Sequence, residues 1–260
     1  MHSESAHAPG QAKLWRPRRV LITPAARELA HGRSIAEKAA SLGAEIVELS
    51  SNRLRGLVSD DPRRAYMDAK STLAVVISPS SKRKLQPIPP SSDWRFDLAE
   101  GCPAHCQYCY LAGSLSGPPV TRVYANIEEI LDGLPDYAGR GRVTSPSRTR
   151  ADEGTTYEAS CYTDPLGIEH LTGSLAKTIC HFGAWQAAVQ LRFTTKYDNL
   201  DPLLTLRNGN RTRIRFSVNS AAVARFEGGT AGMPARLKAM RRAALAGYPV
   251  GLTRADHAAR

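Results

Sequence analysis

Three cysteines within eight residues constrain this chain more than any other feature. The segment Gly101-Cys102-Pro103-Ala104-His105-Cys106-Gln107-Tyr108-Cys109-Tyr110-Leu111 sets Cys102, Cys106 and Cys109 at C-x3-C-x2-C spacing on one short loop. Five cysteines in all, an odd number with three so crowded, do not form the framework of a secreted disulfide protein. Thiolate chemistry with a metal is the expectation. A structural zinc ion would need a fourth ligand, for which His105, Cys161 and Cys180 are candidates, but zinc loops usually carry paired C-x2-C units. Three thiolates on a cubic 4Fe-4S cluster leave one iron open. An open iron can bind the amino and carboxylate groups of S-adenosylmethionine and pass an electron to its sulfonium.

The chain has 260 residues, 42% of them hydrophobic, enough for a substantial core. Its longest apolar runs, such as Leu73 to Ile77, fall far short of the roughly 20 residues that a bilayer span needs, and the N-terminus has no apolar signal core. A soluble cytoplasmic protein, with no membrane partner, is expected. Lys and Arg outnumber Asp and Glu by 35 to 24, for a net charge of +11, which favours a polyanionic partner such as nucleic acid.

Residues 1–18 are polar and basic without periodicity and read as a disordered leader. Region 19–90 reads as a small α/β unit: strand Val20 to Ile22, helix Ser34 to Leu42 closed by Gly43, strand Glu45 to Leu49, helix Pro62 to Lys70, strand Leu73 to Ser78. Ser78 to Asp93, with four prolines and three basic residues, has linker composition and places a boundary near residue 90. Residues 91–252 then alternate. Trp94 to Leu98 precedes helix Ile127 to Leu134, Tyr157 to Ser160 precedes His170 to Phe182, and Val189 to Thr194 precedes Pro202 to Leu206. Arg213 to Val218 precedes Met233 to Leu245, and a last strand opens at Tyr248. This pattern predicts an α/β fold, a partial (β/α) parallel barrel with chemistry at the C-terminal strand ends. The cysteine loop, Cys161, Lys196, and Ser217 with Asn219 each follow one of those strands. Residues 137–156 read as a long polar loop. Cys180, on the apolar face of a helix, reads as packing.

Several segments together resemble the spore photoproduct lyase family of the radical S-adenosylmethionine superfamily. They are Ala69-Lys70-Ser71-Thr72-Leu73, Glu100 to Leu111, Glu158-Ala159-Ser160-Cys161-Tyr162-Thr163-Asp164 and Gly167-Ile168-Glu169-His170-Leu171-Thr172. Arg192-Phe193-Thr194-Thr195-Lys196, Ser217-Val218-Asn219-Ser220 and Ala246-Gly247-Tyr248-Pro249-Val250-Gly251 complete the set. The resemblance implies a radical-SAM-type barrel in which Cys102, Cys106 and Cys109 hold a 4Fe-4S cluster. It implies that S-adenosyl-L-methionine is cleaved to a 5'-deoxyadenosyl radical, which opens a cross-linked thymine dimer in DNA. Cys161 is then the hydrogen-atom donor to the thymine radical, and Tyr108 and Tyr110 line the site, with Tyr110 able to return a hydrogen to the Cys161 thiyl. Tyr108, Thr163, Lys196, Ser217 and Asn219 are the implied cofactor-binding residues, and an external donor such as flavodoxin or ferredoxin supplies the electron. Members of the family continue beyond the Gly-Tyr-Pro-Val-Gly segment, whereas residues 253–260 here form a polar, non-matching tail, as in a barrel truncated at its C-terminal end. A radical enzyme with another substrate, and a non-catalytic iron-sulfur remnant that binds nucleic acid, are the alternative readings.

Overall fold

The computed structural model describes residues 14–57, 60–109, 111, 118–141 and 152–254. Thirteen strands are found among them, in chain order: β1 Arg19–Ile22, β2 Glu45–Glu48, β3 Thr72–Val76, β4 Gln86–Ile88, β5 Ser92–Phe96, β6 Ala99–Glu100, β7 His105–Cys106, β8 Thr121–Tyr124, β9 Thr155–Ala159, β10 Val189–Thr195, β11 Thr212–Val218, β12 Glu227–Gly228 and β13 Val250–Arg254. They form a five-stranded sheet in the order β2-β1-β3-β8-β6, a six-stranded sheet β13-β11-β10-β9-β5-β4, and a two-stranded ribbon β12-β7.

In the six-stranded sheet β5, β9, β10, β11 and β13 all run parallel, with β4 antiparallel on one edge. This is the parallel, helix-flanked sheet expected of a partial (β/α) barrel. Residues alternate across each strand. On one face Tyr157, Leu191, Phe193, Ile214 and Phe216 pack with Leu175, Ile179 and Phe182 of the helix Ser174–Ala184. The other face of the same strands is polar. Arg192 and Arg213 both pair with Glu153 there, and Arg215 pairs with Glu158. Buried charges of this kind persist only when each has an opposite charge and hydrogen-bond partners.

The smaller sheet departs from the expected boundary near residue 90. β3 is buried on both faces and exposes an edge that must be paired. β8, from beyond the cysteine loop, supplies that partner in parallel register, Leu73 opposite Thr121 and Val76 opposite Tyr124. The N-terminal sheet is thus completed by residues 99–100 and 121–124, and the two regions interlock. The stretch expected as a linker contains β4, which pairs with β5, together with a short helix at Ser80–Arg83.

Other boundaries differ for local reasons. Gly173, at φ +61, divides the helix expected over 170–182 into Glu169–Thr172 and Ser174–Ala184. Residues 202–206 form successive turns, with Leu203 N–H bonded to Leu200 O and Leu206 N–H to Leu203 O, because buried Leu200 and Leu203 anchor them to the core. Within the expected leader, residues 1–13 lie outside the described residues. Trp15 packs on the N-terminal core, and its carbonyl accepts from His170 Nε2 at 2.8 Å. β13 runs through Thr253 to Arg254, paired with β11, so two residues of the expected tail belong to the sheet. Among the described residues no helix is long and apolar enough to cross a membrane.

Candidate active site

The cysteine loop leaves β6 through Gly101, whose φ of +76 suits glycine. A Cβ there would stand 2.3 Å from the Val120 carbonyl oxygen, so no other residue fits without displacing backbone. Beneath the loop lies Lys70, the last residue of the helix Pro62–Lys70. Its buried ammonium donates to the carbonyls of Cys102 and Ala104. Burial lowers the Lys70 pKa, and the nearby Cys102, Cys109 and Cys106 thiols oppose that shift. All three cysteines therefore lie within electrostatic reach of one cation.

Cys102 Sγ accepts the backbone N–H groups of Ala104 and Asp164; burial, then the Asp164 charge, pushes its thiol up to about 12. Burial also raises Cys106, with Lys196 acting against it. The three cysteines are free of disulfides. Among the described residues no three His, Cys, Asp or Glu side chains form a ready-made cage for a single metal ion. An iron-sulfur cluster fits this donor set on chemical grounds: three uncrosslinked thiols on one loop, N–H donors aimed at a sulfur, and a buried cation beside them to offset thiolate charge.

The strand-end residues arrange themselves around two carboxylates. Asp164, its pKa raised by burial to about 6, accepts Thr195 Oγ1 at 2.8 Å and the Lys196 N–H at 2.7 Å. It ties the end of β10 to the segment after β9 and, through its own N–H, to Cys102. Thr163, beside it, is buried, and its hydroxyl has no hydrogen-bond partner among the described residues. The second carboxylate is Glu227 on β12, directly opposite Cys106 in the ribbon. Tyr108 Oη donates to Glu227 Oε1, Asn219 Nδ2 donates to the same oxygen at 2.6 Å and to Tyr108 Oη at 3.1 Å, and Lys196 Nζ stands 3.8 Å away. Burial alone would raise the Glu227 pKa. The bonds from Tyr108 and Arg236, with the Arg236 and Lys196 charges, outweigh it and hold the carboxyl below its usual range. Ser217 joins this array through its carbonyl, which accepts from Arg236 Nη1 at 3.0 Å.

Cys161 lies among the charged groups of the polar face of the barrel sheet. Burial, then the Glu158 and Asp97 carboxylates, pushes its thiol up to about 12, while Arg95 and Arg215 act the other way. Its backbone N–H donates to Asp97. The preceding residue, Ser160, takes φ +58, with its N–H on Phe96 O at 2.7 Å and its Oγ accepting from Leu98 N–H at 3.1 Å. Three consecutive residues, 96 to 98, therefore clamp the turn that presents the thiol. Tyr110 lies outside the described residues. Cys180 is exposed rather than packed, because the apolar face of its helix is made by Leu175, Thr178, Ile179 and Phe182. His105 is also exposed, and with Cys180 it takes no part in the array.

Glu227, Arg236, Asp97 and Lys70 were not among the residues expected in the site. Only Lys70, which closes a helix within a matching segment, carried a signal in the sequence. The others are single charged residues in segments without distinctive spacing.

Parallel strands with helices on one face and a cysteine loop at their C-terminal ends define a partial barrel of the radical S-adenosylmethionine type. The family model described as spore photoproduct lyase matches residues 15–257. The chain is 38% identical over 237 residues to the spore photoproduct lyase of Bacillus subtilis, covering 90% of this chain and 66% of that protein. The Geobacillus enzyme of the same name is 40% identical over the same extent. A solved spore photoproduct lyase complexed with dinucleoside spore photoproduct superposes with a TM-score of 0.84 at 38% identity, over 95% of this chain and 70% of the other. A mutant form with bound AdoMet and dinucleoside spore photoproduct superposes with a TM-score of 0.81 at 38% identity, over 92% of this chain and 68% of that one. The chain belongs to the spore photoproduct lyase family. It spans 66% of the length of these curated relatives.

Proposed function

We propose that this chain is a radical S-adenosylmethionine lyase that opens the cross-link between two thymines of spore photoproduct in DNA. The observation that carries this reading is the convergence of the cysteine loop with Tyr108, Lys196 and Asn219 at the strand ends, beside a separately clamped Cys161. Cys102, Cys106 and Cys109 would hold a 4Fe-4S cluster, and Tyr108, Thr163, Lys196, Ser217 and Asn219 would hold S-adenosylmethionine. Bound together, these two groups would use one electron, taken from a donor such as flavodoxin or ferredoxin, to supply hydrogen-atom abstraction at C5' of the adenosyl group.

The residues of the chain supply position and one hydrogen atom. Lys196 offers a cation to a carboxylate, Asn219 offers amide protons, and Tyr108 presents a ring from the cysteine loop itself. Cys161 suits a donor of a hydrogen atom rather than a nucleophile. Burial and two carboxylates keep its sulfur protonated at neutral pH, so the S–H bond is intact when a substrate radical needs it. The net charge of +11 suits a substrate carried on a phosphate backbone.

The test is anaerobic reconstitution with iron and sulfide, followed by addition of dinucleoside spore photoproduct, S-adenosylmethionine and dithionite. Absorbance near 400 nm, 5'-deoxyadenosine and repaired dinucleoside are expected together. Formation of 5'-deoxyadenosine with the photoproduct left intact would assign the chain a different substrate.

A further inference from the structure

Glu227 has a side chain with 0% exposure, and a buried carboxylate is costly unless an opposite charge and hydrogen bonds compensate it. Its two oxygens divide the work. Oε2 takes Arg236 Nη2 at 2.6 Å from the helix Met233–Leu245. Arg236, itself 1% exposed, is locked in turn: Nε donates to Ala231 O at 2.8 Å, Nη1 to Ser217 O at 3.0 Å, and Nη2 also to Thr230 Oγ1 at 2.8 Å. Oε1 is the meeting point of Tyr108, Asn219 and Lys196. Those three side chains come from three separate segments, the cysteine loop and the ends of β11 and β10. The ribbon fixes the whole group against Cys106, and the Ala231 N–H bonded to Lys196 O at 2.9 Å ties it to β10.

The charges fit the same view. Arg236 neutralises Glu227 at hydrogen-bond distance, whereas Lys196 at 3.8 Å makes only a loose pair with it. The lysine is aimed by the carboxylate without being consumed by it, so its charge remains for an incoming carboxylate.

We propose that Glu227 is a positioning residue of the S-adenosylmethionine site, orienting Lys196, Asn219 and Tyr108 from one oxygen while Arg236 holds the other. This inference rests on the radical reading given above. It is tested on the full chain, reconstituted anaerobically, by equilibrium dialysis with radiolabelled S-adenosylmethionine and no reductant, alongside iron content. Glu227→Gln is expected to keep its iron and bind S-adenosylmethionine at least tenfold more weakly, with Glu227→Asp intermediate. Combined with Lys196→Met, its loss should be smaller than the product of the two single losses, because one acts through the other. Unchanged affinity in Glu227→Gln, or losses that simply multiply, overturns the proposal. Should Glu227→Gln lose iron or fail to fold, Lys196→Met and Asn219→Ala, singly and together, supply the same cycle with Glu227 in place. Coupled losses support a shared anchor, and independent ones refute it. A parent chain that loads iron but binds no S-adenosylmethionine sinks the radical reading itself, a result distinct from any difference between variants.

Discussion

Ser160 sits in the left-handed region, which costs a residue with a side chain about 1–2 kcal/mol. Its hydroxyl supplies the acceptor for Leu98 N–H. Ser160→Ala keeps the unfavourable backbone and strips that N–H of its partner, with an expected loss of about 1–3 kcal/mol in urea unfolding. Ser160→Gly, which relieves the backbone, should lose less; equal losses would mean that φ is not the issue. Thiol labelling checks the neighbouring site. Before metal loading, iodoacetamide at pH 8 should modify exposed Cys180 at least tenfold faster than Cys161, whose thiol is pushed up to about 12, as read by peptide mass spectrometry. At this scale the cysteines were legible because their spacing is local. Glu227 was not, since it is far along the chain from Cys106 and becomes its neighbour only through the ribbon.

The helix Ser174–Ala184 begins after Gly173, which has no side chain to cap it. Glu169 takes over that task from the preceding turn, accepting from Leu175 N–H and Ala176 N–H, each at 2.9 Å. Burial nevertheless pushes its carboxyl up to about 7. A carboxyl that binds its proton more tightly when folded favours the folded state at low pH, and that contribution is lost as pH rises from the unfolded value of 4.5 through about 7. Thermal midpoints should accordingly fall over this window, and Glu169→Gln should flatten the slope; an unchanged slope would place the proton elsewhere. Helix Pro62–Lys70 was readable to the residue, because Asp61 accepts the Arg63 N–H at 2.9 Å and a proline opens the first turn. Strands β4 and β8 escaped notice for the opposite reason. They are three and four residues long, β4 pairs through an irregular register with β5 in a stretch of linker composition, and the parallel partner of β8, β3, is distant in sequence.

Across the molecule, alternation of strands and helices made the barrel sheet legible, but nothing in composition marks where one sheet gives its chain to the other. The excess of positive charge makes a prediction at this scale. If phosphates are its target, affinity for duplex DNA carrying the lesion should fall at least about tenfold between roughly 50 and 200 mM salt, as neutralised phosphates release their counterions. Fluorescence anisotropy would measure it, and a flat response would remove DNA backbone contacts from the account. The path of β8 matters in another way. Since the N-terminal sheet waits for residues 121–124 to pair with β3, a chain emerging from the ribosome cannot finish its first sheet until all three cysteines of the loop are already outside. The three thiols are thus exposed before the first sheet is sealed, so whatever group they bind can reach them while that sheet is still open.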